Sequence, residues 1–272
     1  MKGDLHCHSV LSDGSLEIDD ILRAAKRQGI DTVAITDHDN IMSEKEAELY
    51  SQKSGVTVIN GAEFSAIDKK RGRKVHILCF APKNYDKLLE HCKTIWANRN
   101  EAGIKMAKKV CEIYPVSEED VLRYAKKSKS IFKQHIMRTL IEYGYAKEFY
   151  GDVYQKLFNS KKGICYETVE YPDIDYMFSL LNECGATVVM AHPCVYNGME
   201  LAKELAYSGK IDGIEVFHHS NNDQAREELF EYCDKNNLIV TGGSDFHGMY
   251  SSDARTVGYN FTDEENLKRI LK

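Results

Sequence analysis

Two histidines one residue apart, His6 and His8, and an aspartate five positions on, Asp13, crowd into the stretch GDLHCHSVLSDGS at residues 3–15. On an extended strand, positions i and i+2 point to one side, so His6 and His8 can present two imidazoles to a single cation. A lone His-x-His is weak evidence, because chance pairs of surface histidines are common. Here the same residue types recur in short motifs along the chain. His38 stands in TDHD, Glu63 in GAEFS, His76 in KVHIL, His192 in AHP, and Asp245 and His247 in GSDFHG. Imidazole mixed with carboxylate suits Zn²⁺, Mn²⁺ or Fe²⁺ better than Ca²⁺ or Mg²⁺, which favour all-oxygen shells. Nine candidate ligands are too many for one ion and match two or three. Three carboxylates among them leave such a cluster with residual positive charge, which invites an anionic substrate.

Elements must bring these residues together. Seven short Val/Ile-rich runs read as strands: GDLHCH, DTVAITD, VTVINGAEFS, KVHILCFA, ATVVMAH, GIEVFHH and NLIVTGGSD. Most are followed by helical patterns, such as the amphipathic segment 15–28 closed by Gly29, which predicts a parallel sheet. Seven units favour a barrel over an open sheet. In a parallel barrel the carboxyl ends of the strands share one face, where active sites lie. Six of the ten histidines fall at or near such ends. The regularity breaks over residues 85–163, which read as helical with apolar residues at three-to-four spacing, such as Ile136, Met137, Leu140 and Ile141. The expected organisation is a discontinuous barrel, residues 1–92 and 165–272, carrying a small helical insertion over residues 93–164.

The composition fits. A chain of 272 residues, 43% hydrophobic and 29% charged, can bury a sizeable core. Its net charge of −6 argues against an extended nucleic-acid surface. No apolar run approaches the roughly 18 residues that span a bilayer, and no leader-like segment precedes the first motif, so a cytoplasmic protein without membrane contact is expected. Eight cysteines without C-x-x-C spacing read as reduced, mostly buried thiols. Cys7 and Cys194 read as small buried hydrophobes, and His91, within a helical pattern, as a surface residue.

The sequence resembles the PHP (polymerase and histidinol phosphatase) metal-dependent phosphoesterases. The matching residues are His6-Cys7-His8, Asp13-Gly14, Thr36-Asp37-His38, Gly61-Ala62-Glu63, His76, Ala191-His192-Pro193 and Gly243-Ser244-Asp245-Phe246-His247. The resemblance implies a distorted (β/α)7 TIM-like barrel with a two- or three-metal centre. It implies that His6, His8, Glu63 and Asp245 hold one ion, that Glu63 bridges to a second held by His76 and His192, and that Asp13, His38 and His247 hold a third. A metal-bound hydroxide, held among Asp13, Glu63, His192 and His247, would then attack phosphorus in line with the departing ester oxygen.

The insertion resembles that of the subgroup acting on small nucleotide phosphates, including 3′,5′-nucleoside bisphosphates, or trimming short RNA from its 5′ end. In that subgroup an Arg- and His-bearing insertion covers the metals. The corresponding residues are Arg99, His135 and Arg138, and Lys133-Gln134-His135 replaces the usual Arg-Pro-His. Lysine keeps the cation and loses the bidentate fork that arginine offers phosphate. Residues 121–141 hold six Lys/Arg and no acid. Among these Lys126, Lys127 and Lys129 read as a solvated face, whereas Arg99, Lys133, His135 and Arg138 are expected at the substrate. His218 matches the family's histidine after the sixth strand and is a further candidate for substrate contact, with His219 in place of the usual proline. The expected partner is a small phosphorylated substrate, a nucleotide or short oligonucleotide. Three other readings compete: a monoesterase of histidinol-phosphatase or protein-tyrosine-phosphatase type, a non-catalytic metal-binding accessory module, and an amidohydrolase. For the last, no strand end carries a bridging lysine.

Overall fold

The computed structural model describes residues 1–271. Seven strands form one sheet in sequence order: β1 (Gly3–Cys7), β2 (Thr32–Ile35), β3 (Thr57–Asp68), β4 (Arg73–Phe80), β5 (Thr187–Met190), β6 (Gly213–Phe217) and β7 (Ile239–Gly242). A bridge between Cys7 and Phe246 brings the two edges together, so the sheet is nearly closed into a distorted barrel. Helices surround it: α1 (Ile18–Arg27), α2 (Glu44–Ser54), α3 (Tyr85–Ile113), α4 (Glu118–Leu122), α5 (Lys133–Glu142), α6 (Asp152–Phe158), α7 (Ile174–Glu183), α8 (Met199–Tyr207), α9 (Asp223–Lys235) and α10 (Glu264–Ile270).

The sheet is mixed, not wholly parallel as the strand–helix alternation predicts. β4 runs antiparallel to both β3 and β5. Only Lys69, Lys70, Arg71 and Gly72 separate β3 from β4, too few for the crossover that a parallel pair needs. The reversal matters for the site. It puts the beginning of β4, where His76 lies, at the mouth formed by the carboxyl ends of the other strands.

Strand side chains alternate between two apolar layers. Leu5, Ile59, Leu78, Val189 and Ile239 cluster with Leu267 and Ile270 of α10. Val33, Ile35 and Val58 pack with Ile21 and Leu22 of α1, and Ile77, Cys79 and Val188 pack with Leu88, Met177 and Leu181 of α3 and α7. Burial on both faces explains why these strands read as continuous apolar runs. A separate core lies within residues 106–165, where Met106, Val110, Ile136, Met137, Leu140, Leu157 and Phe158 pack together. Helix α3 serves both: Leu88 and Cys92 pack on the barrel side, Met106 and Val110 in the second core. At Gly103 a Cβ would collide with Ile131, so glycine lets the segment leading into α5 lie against α3.

All eight cysteines are free thiols, six of them buried, Cys7 included, with Cys111 and Cys194 half-buried. His91 is not a surface residue: it is 8% exposed, between Phe64 and Tyr176. Among the described residues no helix is long and apolar enough to cross a membrane.

Candidate metal centre

The nine side chains singled out by type and spacing converge at the barrel mouth. Glu63 is the hub. Its Oε2 lies 3.3 Å from both His6 Nε2 and His8 Nε2 and 3.0 Å from His38 Nδ1. Its Oε1 lies 2.7 Å from both His76 Nδ1 and His192 Nε2. Asp245 Oδ1 stands 3.3 Å from His8 Nε2 and 3.6 Å from His6 Nε2. Asp13 collects a further set, with His247 Nε2 at 3.3 Å, His8 Nδ1 at 3.7 Å and His38 Nε2 at 3.8 Å.

These atoms suit cations. Ligands at about 2.0–2.1 Å from a tetrahedral ion lie about 3.3–3.4 Å from one another, close to the spacing among His6, His8, Glu63 and Asp245. His6 Nε2, both ring nitrogens of His8, and His38 Nδ1 are buried without a hydrogen-bond partner, and buried polar atoms rarely stay orphaned. Several overlapping groups could take an ion, among them His6, His8 and Asp245; His6, Glu63 and His192; His38, Glu63 and His76; and His8, Asp13, His38 and His247. Burial works against charge on His8, yet the Asp245 and Glu63 carboxylates, each 3.3 Å from its Nε2, outweigh that and raise it to about 10. Burial dominates at His38 and pushes it down to about 3. An ion bound at His8 must displace a proton, so its affinity falls as pH falls.

The backbone is strained where these groups sit. Asp39, His192 and Asp245 have φ of 49°, 25° and 51°, a left-handed region costly for non-glycine residues. Buried carboxylates hold these turns. Asp39 accepts hydrogen bonds from the Ser65 amide at 2.8 Å and the Ser65 hydroxyl at 3.0 Å and pairs with Arg99. Asp37 accepts from the Ser9 amide and hydroxyl, both 2.7 Å, and from the Ser12 hydroxyl at 2.6 Å. Asp4 accepts from the Ser244 amide at 2.9 Å and its hydroxyl at 2.6 Å, setting the turn before Asp245. Glu215, wholly buried in β6, lies 2.9 Å from His6 Nδ1 and accepts the His192 amide at 2.7 Å. Sequence reasoning assigned none of these four acids a role, although Asp37 stands in the Thr36-Asp37-His38 motif. The available signal was a carboxylate inside an apolar strand run, as in GIEVF.

A polar cavity of about 160 Å³ opens from Asp13, His38 and His76 toward α3 and α5. Arg99, Lys133 and Lys74 all line it. Arg99 stacks over Phe132 at 4.5 Å and lies 5.4 Å from the Tyr171 ring. Lys133 Nζ sits 4.6 Å over Tyr166. Lys74, on β4, has its Nζ 5.3 Å from Tyr171; a lysine in a strand had offered no sign of facing inward. Tyr154 and Tyr196 complete the aromatic walls.

Three expected substrate residues lie elsewhere. His135 is 1% exposed; its Nδ1 accepts the Phe132 amide at 3.2 Å, so it caps the first turn of α5 and does not line the cavity. Arg138 stacks on Tyr124, 5.5 Å from its centroid, and does not line the cavity. His218 is fully buried, with Nε2 3.4 Å from Asp245 Oδ2 and Nδ1 2.7 Å from the Ser220 hydroxyl; it backs Asp245 and touches no open space. Its neighbour His219 lines a second cavity. Lys127 pairs with Glu17 of the barrel, and Lys129 lies 5.7 Å over Trp96 of α3.

Comparison with known proteins agrees with this arrangement. The PHP domain model matches residues 4–170. The chain is 34% identical to the phosphoribosyl 1,2-cyclic phosphate 1,2-diphosphodiesterase of Eggerthella lenta, over 92% of this chain and 95% of the relative. It is 26% identical to the 3′,5′-nucleoside bisphosphate phosphatase of Chromobacterium violaceum, over 94% and 90% respectively. A solved structure from Bifidobacterium adolescentis, assigned as a candidate metal-dependent phosphoesterase, superposes with a TM-score of 0.86 at 26% identity, covering 99% of this chain and 95% of that one. This chain therefore belongs to the PHP domain family, as a hydrolase of phosphate esters.

Proposed function

We propose that the protein hydrolyses a phosphate ester on a small ribose- or nucleotide-type substrate that carries a second phosphate. The observation that carries this reading is the convergence of Lys74, Arg99 and Lys133 on one aromatic-walled cavity that opens onto the ligand cluster. A simple monoester gives three cations nothing to hold. The two relatives' names share a ribose unit bearing more than one phosphoryl position.

In this reading His6, His8, Glu63 and Asp245 hold one divalent ion, Glu63, His76 and His192 a second, and Asp13, His38 and His247 a third, with Mn²⁺, Zn²⁺ or Fe²⁺ as occupants. When bound, such ions supply a nucleophile from water near neutral pH and offset charge on the phosphoryl oxygens. Arg99 offers the second phosphate a planar fork, which Asp39 and Phe132 hold in place. Lys74 and Lys133 add point charges, and Tyr154, Tyr166 and Tyr171 flank the sugar or base and exclude water. Binding energy from this remote phosphate orients the reacting ester. The segment 93–164 acts as the lid that carries Arg99 and Lys133 over a barrel formed by residues 1–92 and 165–272.

Turnover of a nucleoside 3′,5′-bisphosphate against the matching monophosphate, with Mn²⁺ added, tests the reading. The bisphosphate is expected to win by at least about ten-fold in kcat/KM, as one charge-assisted contact supplies. Lys74→Ala is expected to raise KM for the bisphosphate by about ten-fold or more with a smaller change in kcat. Equal turnover of both compounds would sink the proposal.

A pH dependence follows from Lys133. Burial, then the nearby Lys74 and Arg99, brings its ammonium down to about 8. It is cationic at pH 7 and loses its charge as pH rises through about 8. KM for the bisphosphate is therefore expected to climb between pH 7 and pH 9 in steady-state assays. Lys133→Arg, which stays charged, is expected to flatten that climb.

A further inference from the structure

A cavity of about 530 Å³ lies between α2, α3 and the chain at Lys129, and it shares no lining residue with the cavity of Lys74, Arg99 and Lys133. Its size suits a small molecule. Tyr50, Tyr85 and Trp96 give it aromatic walls. Asn40 also lines it, although that residue is only 7% exposed. The Asn40 backbone N–H donates to the Asp37 carbonyl at 3.2 Å, whereas its side-chain carboxamide has no hydrogen-bond partner among the described residues. Polar groups so deeply placed are seldom left without one.

The carboxamide sets the class of ligand. It offers a donor and an acceptor side by side, the pair that adenine meets with its 6-amino group and N7. Aromatic side chains supply faces on which a base stacks. Two cations, Lys93 and Lys129, stand on the same wall. Lys93 pairs with Glu90 at 2.7 Å, both side chains exposed, and such a pair is readily exchanged for a phosphate. Lys129 Nζ lies 5.7 Å over the Trp96 ring, on an exposed residue free to turn toward an anion. Both acids of the lining are already engaged. Glu46 accepts from the Ser43 amide and hydroxyl, each at 2.8 Å, and Asp37 accepts from Ser9 and Ser12. A free carboxamide, aromatic walls and a cationic rim together match an adenine mononucleotide.

We infer that this cavity binds an adenine mononucleotide as an effector, at a site separate from the substrate's. The link to the reacting centre is Asp39. Its carbonyl accepts the Trp96 indole N–H at 2.9 Å, and its carboxylate pairs with Arg99. Asn40 is the next residue in the chain, and Lys129 lies three residues before Phe132, over which Arg99 stacks. A base seated against Asn40 and Trp96 restrains Asp39 from two sides and so steadies the Arg99 guanidinium. Tighter binding of substrate follows, a consequence that rests on the reading that Arg99 grips its second phosphate. By linkage, substrate must tighten the nucleotide by the same factor.

Trp96 is the only tryptophan in the chain, so its fluorescence reads this cavity directly. Adenosine 5′-monophosphate is expected to quench it saturably, and ribose 5-phosphate, which lacks the base, to leave it unchanged. Asn40→Ala is expected to raise the half-saturating concentration about ten-fold, as loss of a two-point contact to a base allows. Lys93→Glu, at an exposed position that spares the fold, is expected to weaken the monophosphate and leave adenosine almost unaffected. Lys74→Ala, in the other cavity, is expected to leave the titration where it stands. Absence of quenching overturns the site. So does a titration that Lys74→Ala shifts and both Asn40→Ala and Lys93→Glu do not, because the nucleotide then sits on the substrate's cations. In turnover assays, saturating monophosphate is expected to lower KM for the bisphosphate about five-fold, the lower end of allosteric coupling, and to do so less in Lys93→Glu. An unchanged or raised KM overturns the effector role. Failure of the wild type on every phosphate ester would instead overturn the proposed function, and the quench with its dependence on Asn40 would stand.

Discussion

Glu63→Gln is expected to cut phosphoesterase turnover by at least about a thousand-fold, beyond the ten- to hundred-fold typical of changes outside a ligand shell. The reason is the number of groups this one carboxylate serves. Five imidazoles, those of His6, His8, His38, His76 and His192, stand within 3.3 Å of its two oxygens. Burial pushes the Glu63 carboxyl up, but the surrounding histidines, His38 and His76 foremost, hold it well below the usual carboxylate range. It is therefore an anion in a 1%-exposed position. Glutamine keeps the shape and removes the charge, and its amide nitrogen presents donors where imidazole donors or cations must sit. Metal analysis of the purified variant is expected to show the loss of at least one ion relative to wild type, and a thermal melt reports whether the fold survives. A variant that keeps both its metal content and its turnover would refute the hub role.

The convergence of these nine side chains was legible in the sequence because polar residues at strand ends have few structural uses. His6 and His8 repeat the period of a strand, and Asp245-Phe246-His247 repeats it again. What hid was whatever depended on direction or on irregular chain. The reversal of β4 turns on the short run Lys69–Lys70–Arg71–Gly72, which composition alone does not distinguish from a longer loop. Reversal then places Lys74, two residues before His76, on the cavity wall, where a parallel strand would have pointed it away from the mouth. Tyr166 and Tyr171 come from chain without helix or strand, whose path no periodicity predicts. His135 misled because a histidine in the first turn of a helix suits a substrate contact and a cap equally. Its Nδ1 serves the backbone of Phe132, satisfying a donor the first turn leaves free. Arg99, named with His135 and Arg138 through the resemblance alone, is the one of the three that lines the cavity; it lies on the buried face of α3, where Asp39 supplies its partner.

Glu215→Ala is expected to weaken metal binding by about ten- to hundred-fold, the usual result of removing a carboxylate that orients a ligating imidazole. Glu215 lies 2.9 Å from His6 Nδ1. As an anion it can only accept, so it fixes the proton on Nδ1 and leaves Nε2, the atom facing Glu63 and Asp245, as the free lone pair. Its other oxygen holds the His192 amide at 2.7 Å, which pins a backbone with φ of 25°. One side chain thereby sets two histidines from different strands. Burial raises the Glu215 carboxyl, but His6 and His218 outweigh it and keep it below its ordinary range. Removing it frees the His6 ring to rotate or change tautomer and releases the strained turn at His192. Competitive titration with a chromogenic chelator measures the affinity directly, and excess Mn²⁺ is expected to restore most of the lost turnover. Glu215→Gln, which can still accept at Oε1, is expected to lose less. If Glu215→Ala instead loses one whole equivalent of metal that no excess restores, the carboxylate is itself a ligand. Unaltered affinity in both variants would leave His6 with no need of a partner.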